Sequence, residues 1–152
     1  MDIDESIEVQ KRGWTVQRFG WIFMLVFVVL AALGLFGNGI LSKKNVQSGT
    51  QQLEYPQYSR FESRLELKFD LNGSAPQSII SLPGKYLEKF RVESILPEPK
   101  QSMVTENRVN YIFEGNGPMK IIFYLVPQSI GRLDADVLVN DQRFNFNHFI
   151  YP

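Results

Sequence analysis

The chain has 152 residues, 44% of them hydrophobic, and its sixteen basic and sixteen acidic side chains cancel. With no cysteine, disulfides, thiolate metal centres and thiol nucleophiles are all excluded. The flat charge balance leaves no electrostatic footprint for nucleic acid, and a single histidine rules out a His-rich metal centre.

Residues 1–18 place Asp2, Asp4, Glu5 and Glu8 ahead of Lys11, Arg12 and Arg18, an order that suits a helix dipole. Ile3, Ile7, Gln10, Trp14, Gln17 and Trp21 recur at spacings of four and three, so a helix here carries one stripe. That stripe reads either as a docking face for a partner or as an amphipathic surface at the lipid boundary with Trp14 and Trp21 as anchors.

Residues 19–41, FGWIFMLVFVVLAALGLFGNGIL, contain no charged side chain and no histidine. As a helix they reach roughly 35 Å, enough to cross a hydrocarbon core of about 30 Å. A transmembrane helix is therefore expected at 19–41, with the lipid bilayer as its first partner. Lys11, Arg12 and Arg18 before it and Lys43 and Lys44 after it favour a cytoplasmic N-terminus, with the rest of the chain exported. A signal peptide cut after Gly39 is the rival reading; the long apolar run and the acidic residues ahead of it speak against it. Ala31, Gly34 and Asn38 fall on one helix face, where small residues permit close approach and the amide can hydrogen-bond to a neighbouring helix. The alternative is that the glycines only loosen the last turn.

The run Gly13-Trp14-x-x-Gln17-Arg18-x-Gly20-Trp21, followed by Gly34-Leu-Phe-Gly37-x-Gly39-x-Leu41-Ser42, resembles a group of small, single-span bacterial membrane proteins of unassigned function. The resemblance covers about thirty residues around the span. It implies a bacterial inner-membrane location beside a larger multi-pass protein, and it brings no catalytic residues with it.

Residues 42–58 are polar, with Gly49 and Pro56 and no apolar period, which predicts a linker that lifts the following domain off the membrane. From 59 to 152 an extracytoplasmic β-domain is expected. Phe61, Ser63, Leu65, Leu67, Phe69 and Leu71 alternate with charged residues as a half-buried strand that stops at Asn72-Gly73. Asn72-Gly73-Ser74 also fits a glycosylation acceptor, though the turn explains it more simply. Further strands are predicted at 78–82, 90–96, 107–113, 119–126, 133–139 and 143–151, with a helical turn at 84–89 after Pro83. The strands at 107–113 and 119–126 are expected to pair as a hairpin across Gly115 and Gly117. Seven short strands and no long helix predict an antiparallel β-sandwich of immunoglobulin-like type, with a small β-barrel as the alternative.

His148 with Met103 and Met119 offers imidazole and thioether donors that suit copper, the ground for a copper-handling alternative; methionines as core filler and a packed or solvated histidine are the plainer reading. Asp134-Ala135-Asp136 has carboxylates at calcium-loop spacing but lacks the glycine and glutamate of that loop. No carboxylate spacing singles out an acid–base pair, so a non-catalytic role is expected. The closing run, Phe144 to Tyr151, puts aromatics on both faces: Phe149 and Tyr151 either cap the sandwich or, on an edge strand, receive a partner by β-addition. The function expected is a membrane-anchored accessory subunit whose partner is a multi-pass membrane protein, another envelope protein or a second copy of the chain.

Overall fold

The computed structural model describes residues 4–32 and 43–152, with side chains at 13, 14 and from 16 onward. It divides into two units, Met1–Leu41 and Ser42–Pro152. In the first, one helix of 29 residues, α1 (Asp4–Ala32), joins the acidic tail to the apolar stretch without a break. Its described side chains from 13 to 32 are exposed all round, Trp14 at 64% and Trp21 at 68%. The Arg18 guanidinium lies 5.3 Å from the Trp14 ring, one helical turn away. Among the described residues no helix is long and apolar enough to cross a membrane. The stretch 19–41 is described only as far as Ala32, so Gly34 and Asn38 lie outside the described residues.

The second unit is all-β apart from one helical turn. Its elements are β1 (Lys43–Ser48), β2 (Gln51–Pro56), β3 (Tyr58–Arg60), β4 (Leu65–Leu71), β5 (Gln77–Pro83), α2 (Gly84–Leu87), β6 (Phe90–Leu96), β7 (Gln101–Thr105), β8 (Arg108–Glu114), β9 (Met119–Pro127), β10 (Gly131–Val139) and β11 (Gln142–Tyr151). One sheet runs β1-β2-β4-β9-β6 and the other β3-β11-β10-β5-β8-β7. All pairings are antiparallel except β3 with β11. Each sheet ends in free outer strands, so the barrel alternative is overturned: the sheets face each other and do not close on themselves.

Period-two patterning builds the core. Leu65, Leu67, Phe69 and Leu71 of β4 are buried while Glu66, Lys68 and Asp70 between them look outward. Phe123 of β9 is fully buried and meets Phe69 in its own sheet at 5.6 Å and Tyr111 and Phe113 of the facing sheet at 5.2 and 6.3 Å. These edge-on rings join the two layers through the favoured quadrupole geometry.

Four differences from the sequence expectation follow from tertiary pairing. The expected linker is a hairpin: β1 and β2 turn at Gly49 (φ +59°), and Leu53 and Tyr55 alternate into the core behind a polar outer face. The expected strand at 61–71 begins only at Leu65, because Glu62 takes a positive φ and Ser63 N–H donates to the Arg60 carbonyl, making a turn. The expected hairpin of 107–113 with 119–126 does not form: β8 pairs with β5 and β7, β9 with β4 and β6, and their inner faces meet across the core. Among the described residues eleven strands replace seven, the additions being β1, β2, β3 and β7. Asn140 and Asp141, both at positive φ, make a two-residue turn between β10 and β11.

Candidate functional site

The alternation of β11 sorts its closing run into two faces. Phe144, Phe146, His148 and Ile150 are buried, whereas Phe149 is 48% exposed and Tyr151 is half-buried. β11 is not an edge strand over its last residues: β3 pairs with 149–151, which overturns β-addition there. Instead the register sets Tyr58 of β3 and Arg132 of β10 on either side of Phe149. Tyr58 is 47% exposed, and its ring lies 6.5 Å edge-on from Phe149. A small cavity of about 190 Å³ opens among Gln57, Tyr58, Arg132, Asn147 and Phe149.

This row lies at the end of the domain where the chain enters. Lys43 opposes Pro56, and β3 runs on past that level as the chain changes sheets. The starts of β4, β6 and β10 and the ends of β9 and β11 gather at the same end, since Leu65 opposes Leu125, Phe90 opposes Pro127 and Gly131 opposes Ile150. Ile130, 61% exposed, sits in the connection from β9 to β10 there. Tyr58 and Phe149 are the only exposed aromatics of the β-domain.

Behind the row, His148 is 1% exposed and ringed by Tyr55, Tyr86, Phe90 and Phe146. Its Nδ1 lies 2.6 Å from the Pro56 carbonyl, which only accepts, so Nδ1–H donates there and the neutral Nε2 accepts from the Tyr86 hydroxyl at 3.0 Å. Burial lowers the His148 pKa to about 4, against the opposing pull of the Pro56 carbonyl, and burial pushes the Tyr86 phenol well above its ordinary range. With both ring nitrogens engaged, His148 is a packed core residue. Met103 on β7 is four interstrand steps away in the same sheet, roughly 19 Å. Met119 belongs to the other sheet, so the copper trio is not brought together.

Asp134 and Asp136 face outward from β10 and are committed to cations, Asp134 to Arg132 and Asp136 to Arg108 and Arg143. Arg108 on β8 reaches over β5 to β10: Nε–H donates to Ser81 Oγ, Nη1 to Asp136 Oδ2, and Nη2 to the carbonyls of Ser81 and Asp136, all at 2.8–3.0 Å. It is a staple across three strands, and it occupies the floor of the larger groove, about 640 Å³, that runs from Lys85 to Asp136. Among the described residues no group of three or more His, Asp or Glu stands close enough to hold a metal ion.

Of the residues singled out by sequence, the structure joins Phe149 and Tyr151 to one edge and leaves Trp14, Trp21 and Ala31 exposed on α1. Tyr58, Ile130 and Arg60 escaped the sequence reading; only the exposure of two aromatics on neighbouring strands identifies them. No protein-family model matches the chain, and no characterised protein matches it.

Proposed function

We propose that this protein is a membrane-anchored, non-catalytic accessory subunit that binds another membrane or envelope protein, with 19–41 as a single transmembrane helix. The observation that carries the reading is the apolar part of α1: from Phe19 to Ala32 every described side chain is exposed, with no polar face to present to water. A bilayer or the helices of a partner would supply the missing apolar surroundings. The location follows from the charge bias around the stretch and from the bacterial resemblance: inner membrane, N-terminus cytoplasmic, β-domain outside. The non-catalytic part rests on His148, whose nitrogens are both engaged in the core, and on carboxylates already held by arginine.

The β-domain is read as immunoglobulin-like. The order β2-β4-β9-β6 facing β11-β10-β5 corresponds to four strands against three, and the β7–β8 hairpin is an addition beyond β5. The fold alone assigns no function, and an anchor raises the effective concentration for a co-resident partner.

The test is a mild-detergent pull-down of the full chain from its native membrane, read by mass spectrometry beside a version with 19–41 replaced by polyleucine. A stoichiometric membrane partner lost on the swap supports a subunit held by its helix. Absence of any partner with either version overturns the accessory-subunit reading.

A further inference from the structure

We infer that the entry end of the β-domain is itself a membrane-contacting surface, which seats Tyr58, Phe149 and Ile130 in the headgroup layer of the bilayer holding the anchor. This rests on the reading of 19–41 as a span. The argument begins with chain length. Lys43 already belongs to β1, so one residue, Ser42, separates the apolar stretch from the first strand. One residue reaches at most about 3.6 Å, so on that reading the sequence leaves only a short tether between the span and that end of the domain.

The surface at that end has the composition such a position requires. The domain's two exposed aromatics are there, side by side on β3 and β11, and Ile130 projects from the neighbouring connection. Aromatic rings with a polar edge settle at headgroup depth, and a phenol such as Tyr58 keeps its hydroxyl in water while its ring is covered. Lys44, Arg60 and Lys89 stand at the same end without an ion pair among the described residues, against Glu62 and Glu88. Long cationic side chains there can reach lipid phosphates. At the opposite end the connections at 49–50, 72–76, 115–118 and 140–141 carry no exposed large apolar side chain, and Leu96, 51% exposed at the end of β6, has no exposed aromatic beside it.

The absence of cysteine makes the test direct. Gln128→Cys places a fluorophore at the entry end and Ser74→Cys one at the far end, both at exposed positions. The labelled full chain is reconstituted into phosphatidylcholine–phosphatidylglycerol vesicles carrying a headgroup spin label; flotation reports anchoring and quenching reports depth. Flotation with the Gln128 probe quenched several-fold more than the Ser74 probe is expected. Tyr58→Ser with Phe149→Ser should then lower the docked-to-lifted ratio by about tenfold while flotation is unchanged. Flotation with equal quenching at both probes, or quenching indifferent to the aromatic substitutions, overturns the surface and leaves the anchor standing. Failure to float overturns the anchor and this inference with it. Shielding of the Gln128 probe in native membranes but not in pure lipid assigns the surface to a protein partner and overturns the lipid assignment.

Discussion

Acidification should weaken the β-domain through one side chain. His148 is neutral, buried and hydrogen-bonded at both nitrogens, and its pKa falls from 6.5 to about 4 on folding. The folded value lies below the unfolded one, so between them the unfolded chain binds more protons and stability rises with pH. It is complete above about pH 6.5, falls by about 1.4 kcal/mol per unit below that, and levels off under pH 4 after losing about 3 kcal/mol. Against a total of roughly 5–15 kcal/mol that is a large fraction. The assay is urea unfolding of the full chain in mild detergent, followed by circular dichroism of the β signal, near pH 7 and near pH 4.5. A slope of about 1–3 kcal/mol per molar urea converts the loss into a midpoint lower by about 1–3 M. His148→Gln, which does not titrate, should be less stable at neutral pH and should lose the slope. The chain has no second histidine to mimic the effect. A wild-type midpoint that does not move, or an equal slope in the Gln variant, would refute the reasoning.

Three further outcomes are expected. Phe123→Ala, at the meeting point of Phe69, Tyr111 and Phe113, should cost about 3–5 kcal/mol of unfolding free energy, and Phe123→Leu distinctly less, by the same urea assay. Arg108→Ala should cost about 1–3 kcal/mol because it strips partners from Ser81 and Asp136, and Arg108→Lys should not restore the four-bond staple; Arg143→Ala, an exposed pair at 3.7 Å, should change stability by under about 0.5 kcal/mol. Gly49→Ala should cost about 1 kcal/mol or more, since φ is +59° and the new Cβ meets Gln142 Nε2 at 2.8 Å, whereas Gly73→Ala should be nearly neutral; thermal melts of both separate the cases.

The sequence made visible those strands whose burial is one-sided and local. β4 shows its register in every second residue, and the β10–β11 turn shows in Asn140-Asp141, because each signal depends on neighbours a few residues away. β1 and β2 were illegible because Val46, Leu53 and Tyr55 are too widely spaced in an otherwise Gln-, Lys- and Asn-rich segment to show a period. β7, Gln101–Thr105, is exposed along its whole length and so carries no alternation at all. Pairing was less legible than strand position: nothing near 107–126 says that two consecutive strands belong to opposite sheets. The site shares that defect. Phe149 was visible as an aromatic in the closing run, but its neighbour Tyr58 comes from β3 and its buried companion His148 is tied to Pro56, 92 residues away.

The β1–β2 hairpin has a mechanical consequence. Tension applied at residue 42 across the strands acts at the open end of the ladder, where Lys43 faces Pro56, so a sideways pull peels β1 one pair at a time. β1 is a surface strand with exposed or half-buried side chains throughout, and the core-forming Leu53 and Tyr55 stay with β2 and β4 when it leaves. Once detached, its six residues form an arm of about 20 Å, at about 3.3 Å each, that swings from the turn at Gly49. The strand is thus a hinged outer flap: a sideways pull on the chain opens β1 while the strands that hold Leu53 and Tyr55 stay paired.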